Sequence, residues 1–157
     1  MTHRTRKADP TAALATQVAT QCTAVRLRLI NRVVTSIYDR ALRPVGLTIC
    51  QLGILVVLLR RGRARPGEVC DLLQMDASTL SRNIERMNAA GWVRPVPADD
   101  GRSHWLTPTA KGRRLFTRAL PHWNRAQRQT VSLLGDTGVE AISAVAEGIW
   151  SGGDGDG

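Results

Sequence analysis

The stretch MDASTLSRNIERMNAAGW, residues 75–92, carries the densest set of side chains able to do chemistry. Ser78, Thr79 and Ser81 supply hydroxyls that donate and accept, and Arg82 and Arg86 supply planar guanidinium forks that suit a guanine edge or a phosphate. This is the chemistry of reading a polyanion, not of breaking a bond. On a 3.6-residue period Leu80, Ile84 and Met87 share one face, while Ser78, Ser81, Arg82, Glu85 and Arg86 spread over the opposite arc. The apolar stripe docks the helix and leaves the polar arc for a partner. A plainer reading keeps the same residues on a solvated face, with Arg82 or Arg86 paired to Glu85 or Asp76 and the serines serving only the helix start.

Catalytic chemistry finds little to work with. His3, His104 and His122 have no metal-ligand spacing, no glycine-rich phosphate loop is present, and no serine sits on a strand-to-helix elbow, so neither an enzyme nor a cofactor is expected. Cys22, Cys50 and Cys70 are too far apart for a paired zinc pattern and odd in number, which reads as reduced, mostly buried thiols. The net charge of +9 and pI of about 11.1 suit a binder of nucleic acid or anionic lipid. Residues 1–54 hold eight Arg/Lys against two acids and residues 55–115 eleven against six, whereas residues 116–157 hold three against five. The partner signal therefore lies in the first two blocks. The longest apolar run, ILVVLL at 54–59, is far short of the roughly 20 residues of a spanning helix. MTHRTRKADPT has no apolar core behind its charged head, so no secretory signal or membrane partner is expected and the location reads as cytoplasmic.

The elements that must position the polar arc follow from apolar period and breakers. Residues 1–10 read as a flexible basic arm and 151–157 as a disordered tail. Leu14, Val18, Val25, Leu29, Val33, Ile37 and Leu42 recur at threes and fours, which predicts one long helix from Thr11 to Leu42, stopped by Pro44 and Gly46. Thr48 with Gln51 makes a capping box for a second helix, apolar nearly all round, that ends at Gly62 and belongs in the middle of the fold. Pro66 opens a third, short helix with Val69, Leu72 and Leu73 inward; Asp76 caps the fourth and Gly91 ends it, giving a helix-turn-helix. WVRPVPADDGRSHWLTP then reads as two strands joined at Asp99 to Arg102. Pro95 and Pro97 lack N–H groups on one side, so theirs is an edge strand. Thr107 and Pro108 open a long helix that Pro121 bends or bridges, and DTGVEAISAVAEGIW forms a last one. The fold class is mostly α with a small β-hairpin. An N-terminal dimerisation helix (11–46) precedes a winged helix-turn-helix lobe (47–108), and C-terminal dimerisation helices (109–150) follow. Long helices beside so small a lobe bury their surplus apolar stripe against a second copy, so a homodimer is expected.

Three stretches, YDRALRPVGLTICQLGIL, MDASTLSRNIERMNAAGWV and DDGRSHWLTPTAKGRRL, resemble the MarR family of bacterial transcription regulators in order and spacing over residues 20–135. The resemblance implies a dimer on double-stranded DNA at a pseudo-palindromic operator. Such regulators usually repress, and are released by a small aromatic ligand or by thiol oxidation. It assigns DNA contact to Ser78, Thr79, Ser81, Arg82 and Arg86. At the wing tip, the family's Asp, one residue, Arg pattern is matched by Asp100, Gly101 and Arg102, the aspartate holding an arginine that enters the minor groove or lies along the phosphates. Ser103, His104 and Trp105 alone separate Arg102 from Leu106, a hairpin short by about one pair. Arg94 and His104 are candidate phosphate contacts on the strands.

The resemblance also places a ligand cleft near Cys22, Arg26, Tyr38 and Trp123, with charge from Arg26, Arg28 or His122. Core packing is the competing account of Trp123, and packing is expected of Trp92 and Trp105. Cys22 lies where the peroxide-sensing members keep their cysteine, so release by its oxidation competes with release by a ligand. The position matching one activating tyrosine holds none, since Tyr38 is the chain's single tyrosine. A sequence-indifferent DNA-coating protein would share the charge but not the hydroxyl-rich face.

Overall fold

Helix α3 (Ile49–Arg61) is where the chain buries most, because ICQLGILVVLLRR carries apolar side chains nearly all round and has no solvent face to keep. Leu52, Ile54, Leu55 and Leu58 are at most 4% exposed. Thr48 accepts from the Gln51 N–H at 3.2 Å and the Gln51 side chain accepts from the Thr48 N–H at 3.1 Å, closing the capping box. Asp39 accepts the Ile49 N–H at 2.7 Å, so a carboxylate also serves the same helix start. Gly62, at φ 75°, ends the helix in a conformation that a side chain would strain.

The computed structural model describes residues 9–98 and 103–152. The arm at 1–8, the hairpin tip at 99–102 with Asp100, Gly101 and Arg102, and the tail at 153–157 lie outside the described residues. The chain divides into two units, Met1–Ser36 and Ile37–Gly157.

In the first unit the expected single helix is two. Helix α1 (Pro10–Gln21), capped by Asp9, ends at Cys22, whose ψ of 110° is extended, and α2 (Thr23–Leu42) begins one residue later. Two threonines precede the break. Thr16 returns its hydroxyl to Ala12 O at 2.9 Å and Thr20 to Thr16 O at 2.8 Å, a competition for backbone carbonyls that bends helices. The Arg26 guanidinium donates to the Thr20 carbonyl, one of those the break leaves without a helical partner.

In the second unit a 3-10 turn (Arg43–Val45) with Pro44 leads to α3. Helix α4 (Pro66–Leu73) and helix α5 (Ala77–Ala89) follow, then the antiparallel strands β1 (Val93–Pro97) and β2 (His104–Pro108). Val69 of α4 is fully buried, while Leu72 and Leu73 are half-buried. Ala64 adds a third row to the sheet, exchanging hydrogen bonds with Leu106 at 3.1 and 2.8 Å. Leu106 thus spends its backbone groups on Ala64 and not on Pro95 opposite, so β1 is the edge strand and its prolines lose no ladder bond.

Helix α6 (Ala110–Gly152) starts later than Thr107 and Pro108 suggest, because both residues belong to β2, paired with Arg94 and Val93. Thr109 is its cap. The Thr109 hydroxyl accepts from the Gly112 N–H at 3.0 Å and donates to Gly91 O at 2.7 Å. Pro121 is carried inside a helical stretch, and Gly135, at φ 71° and ψ 162°, breaks α6 into two helices, the second opening at Asp136 as the sequence predicts. No single helix among the described residues is long and apolar enough to cross a membrane.

Candidate nucleic-acid interface

Helix α5 is held by its apolar stripe. Leu80 and Met87 are buried and Ile84 half-buried, which leaves Ser78, Ser81, Arg82, Glu85 and Arg86 exposed on the other side. Asn83 faces inward, donating to Thr79 O at 2.9 Å and to the Cys50 sulfur at 3.5 Å, so a polar side chain also pins α5 to α3. Burial, followed by the negative charge of Asp39, pushes the Cys50 thiol up from its ordinary pKa.

The start of α5 is a small hydrogen-bond network. Asp76 accepts from the Ser78 hydroxyl at 2.5 Å, the Thr79 hydroxyl at 2.7 Å and the Thr79 N–H at 2.8 Å. These donors, with Arg82 nearby, hold its carboxyl well below the usual carboxylate range. Arg82 reaches back to the Thr79 hydroxyl oxygen at 3.4 Å, and the Ser81 hydroxyl donates to Glu85 at 3.4 Å. The hydroxyl protons of Ser78, Thr79 and Ser81 are therefore committed to carboxylates, with Arg82 and Arg86 exposed on the same helix.

The end of α5 is clasped from behind. Trp92 N–H donates to Met87 O at 2.8 Å, and Trp92 O accepts the Thr109 N–H at 3.0 Å. A Cβ on Gly112 would stand 2.1 Å from that Trp92 oxygen, so only glycine lets α6 approach this turn.

A groove of about 890 Å³ runs between the helix-turn-helix and the hairpin, with Ser81, Ile84 and Glu85 on one wall and Pro95, Pro97 and His104 on the other. Pro66 and Gly67 close one side. By strand alternation Arg94, Val96, Trp105 and Thr107 occupy the sheet's other face. Trp105, expected to pack, is only half-buried and lies under two guanidinium groups, Arg63 at 4.3 Å and Arg65 at 4.9 Å from the ring centroid. Arg63, Ala64 and Arg65 escape a reading by periodicity; the one available signal is the alternation of charged and small residues in RGRAR ahead of Pro66.

Of the candidate cleft residues, Cys22 and Arg26 belong to the first unit and Tyr38 and Trp123 to the second. Tyr38 is 8% exposed and donates to the Gln127 side-chain oxygen, one turn beyond Trp123 on α6. Two buried atoms on that helix, His122 Nδ1 and Thr130 Oγ1, have no hydrogen-bond partner among the described residues. The same described residues hold no cluster of His, Cys, Asp or Glu able to bind a metal.

Residues 45–103 match the sequence pattern of the MarR family. The HTH-type transcriptional regulator PecS of Dickeya dadantii is 31% identical over 107 residues, 63% of this chain, and the chain spans 64% of the length of that relative. The M. tuberculosis transcriptional regulator MOSR, solved in complex with DNA, is 31% identical with a TM-score of 0.71, covering 82% of this chain and 96% of that one. A cysteine-to-serine mutant of E. coli MarR, solved with operator DNA, superposes with a TM-score of 0.73 over 84% of this chain and 96% of its own; at 18% identity it speaks for the fold alone.

Proposed function

This chain belongs to the MarR family, and from that premise we propose that it is a homodimeric, sequence-specific DNA-binding transcriptional regulator, a cytoplasmic repressor that leaves its operator when a small aromatic ligand binds. The observation that carries the reading is α5 itself, a helix with Leu80 and Met87 buried behind it and Ser78, Ser81, Arg82 and Arg86 exposed. A helix of this width fits the major groove, where each base pair shows a distinct donor and acceptor pattern. With its proton committed to Asp76, the exposed Ser78 oxygen can accept from the amino group of adenine or cytosine; phosphate, having no proton to give, gains nothing from it. Arg82 and Arg86 are the guanine and phosphate contacts, Arg94 serves the hairpin strand, and Asp100 with Arg102 serves its tip.

The dimer is supported by apolar side chains with no cover in the single chain. Leu14, Val18, Leu27 and Leu29 in the first unit, and Leu133, Val145 and Ile149 in the second, are each more than half exposed. Burying one such side chain stabilises an association by about 1.5–3 kcal/mol before ordering costs, so a second copy is their expected cover. Sedimentation equilibrium measures this directly.

For the effector, the supporting observation is a polar set on the helix whose Gln127 accepts from Tyr38: His122 Nδ1 and Thr130 Oγ1 are buried without partners among the described residues, and Trp123 offers a ring one turn from Gln127. Cys22 and Arg26 are carried as further candidates from the first unit. The deciding experiment is binding at fixed salt to a duplex selected from a random pool, against a scrambled duplex of equal length. A specific regulator prefers the selected duplex by about 10³-fold or more, whereas equal affinity for both makes the protein a sequence-indifferent coat.

A further inference from the structure

Residues 76, 79 and 82 stand three apart, so Asp76, Thr79 and Arg82 form one row along α5. The middle one is the hub of that row. The Thr79 N–H donates to one oxygen of the Asp76 carboxylate at 2.8 Å and its hydroxyl to the other at 2.7 Å. The same hydroxyl oxygen accepts from the Arg82 guanidinium at 3.4 Å, and the Thr79 carbonyl accepts from the Asn83 amide at 2.9 Å. Asn83 also donates to the Cys50 sulfur at 3.5 Å, which ties the hub to α3, the helix that fills the core.

Thr79 and its neighbour Ser78 are placed differently. Ser78 is exposed, and among the described residues its hydroxyl serves Asp76 alone. Thr79 is half-buried, and two of the three hydrogen-bonding positions of its hydroxyl, the proton and one lone pair, are taken. A hydroxyl whose proton is held by a carboxylate is the stronger acceptor for a guanidinium, because the two bonds polarise one another. At 3.4 Å the link to Arg82 is long for a hydrogen bond, so it sets direction more than it adds strength. Direction is what Arg82 needs. Its side chain is exposed, and among the described residues it forms no ion pair with Asp76 or Glu85. An unrestrained arginine gives up rotamer freedom when it settles on a base, and one already aimed gives up less.

We propose that Thr79 is a positioning residue: held by Asp76 and Asn83, its hydroxyl aims the Arg82 guanidinium at one base of the operator and touches no base itself. The inference rests on the reading of α5 as the DNA-reading helix and deepens it, dividing the polar arc into a residue that contacts and a residue that aims.

The test uses the full chain and an operator selected from a random pool, with its single-base variants as competitors. The proteins compared are wild type, Arg82→Ala, Thr79→Val, Thr79→Ser, and Thr79→Val combined with Arg82→Ala. Valine keeps the shape and the N–H that Asp76 accepts and removes the hydroxyl; serine keeps the hydroxyl. Arg82→Ala flattens the preference at one base position. Thr79→Val flattens it at that same position by about 3- to 10-fold, the worth of one hydrogen bond, and adds nothing to Arg82→Ala in the double variant. Thr79→Ser behaves as wild type. Thr79→Ala, which favours the helix over threonine, gives the same result as valine and replaces it if the valine chain folds poorly. A role in the helix start alone lowers the urea midpoint and leaves the base preferences unchanged. Unchanged preferences in Thr79→Val or in Arg82→Ala therefore overturn the proposal. A loss at a different base, or one that adds to that of Arg82→Ala, makes Thr79 a reader and overturns it as well. If wild type does not distinguish the selected operator from a scrambled duplex, the reading of α5 itself fails, and the aiming role falls with it.

Discussion

Gly112→Ala separates local propensity from tertiary packing, because the two predict opposite signs. In a helix interior alanine is favoured over glycine by about 1 kcal/mol, so on propensity alone the variant is stabilised. In the structure the new methyl would lie 2.1 Å from Trp92 O and 3.0 Å from its carbonyl carbon. That oxygen cannot swing aside freely, since it accepts the Thr109 N–H at 3.0 Å and sits in the turn that Thr109 also ties through Gly91 O at 2.7 Å. Relief therefore requires α6 to back away from the end of α5. Overpacking of this kind costs about 1–3 kcal/mol. Weakening two hydrogen bonds adds about 1 kcal/mol each. Set against the propensity gain, the net is a loss of about 2–4 kcal/mol. Urea unfolding at fixed protein concentration reads it, with a melting temperature lower by about 4–16 °C for a chain of this size. Gly148→Ala is the control: it lies in the helical stretch beyond Gly135 with nothing within 4 Å of the added methyl, so it follows propensity and gains stability. Gly112→Ala as stable as wild type or more so would refute the close approach of α6 to Trp92.

Three further outcomes are expected. Arg82→Ala relaxes the preference among operator variants, costing about 1–3 kcal/mol of discrimination at one base position, whereas Arg102→Ala weakens binding evenly across sequences; a competition titration over single-base variants tells them apart. The Asp76 carboxyl is held below its ordinary value near 4, so its contribution to stability is fully present above that pH and is lost as pH falls through the lower folded value; Asp76→Asn flattens the acid limb of a pH series of urea midpoints. Cys50, raised by burial and by Asp39, stays a thiol at pH 8.5 and is alkylated by iodoacetamide at least about tenfold more slowly in the native protein than in urea, as peptide mass spectrometry reports; equal rates would contradict its burial against Asn83.

Much of the frame was legible because its signals act over a few residues. Thr48 and Gln51 close a capping box across one turn, Asp76 satisfies the N–H group three residues on, and Leu80, Ile84 and Met87 form a stripe without help from the rest of the chain. The prolines at 95 and 97 announced an edge strand for the same reason, since a missing N–H is a property of the residue. Where local signals competed, the reading slipped. Apolar period runs straight through Cys22, but the backbone there turns extended, at ψ 110°, and the helix restarts at Thr23. Thr107 and Pro108 resemble a helix start, but pairing with Arg94 and Val93 claimed them for β2 and passed the cap to Thr109.

The sequence by itself determined which helix carries the hydroxyls and arginines, how that helix is capped, and that its polar arc is left outward, because each depends on contacts within a turn or two. Tertiary structure alone decided that Ala64 pairs with Leu106, that Arg63 and Arg65 meet on Trp105, and that Gly112 must be small to admit Trp92 O. Those residues come together only after α3, the hairpin and α6 have packed around a common core, and no periodicity along the chain encodes a distance across it.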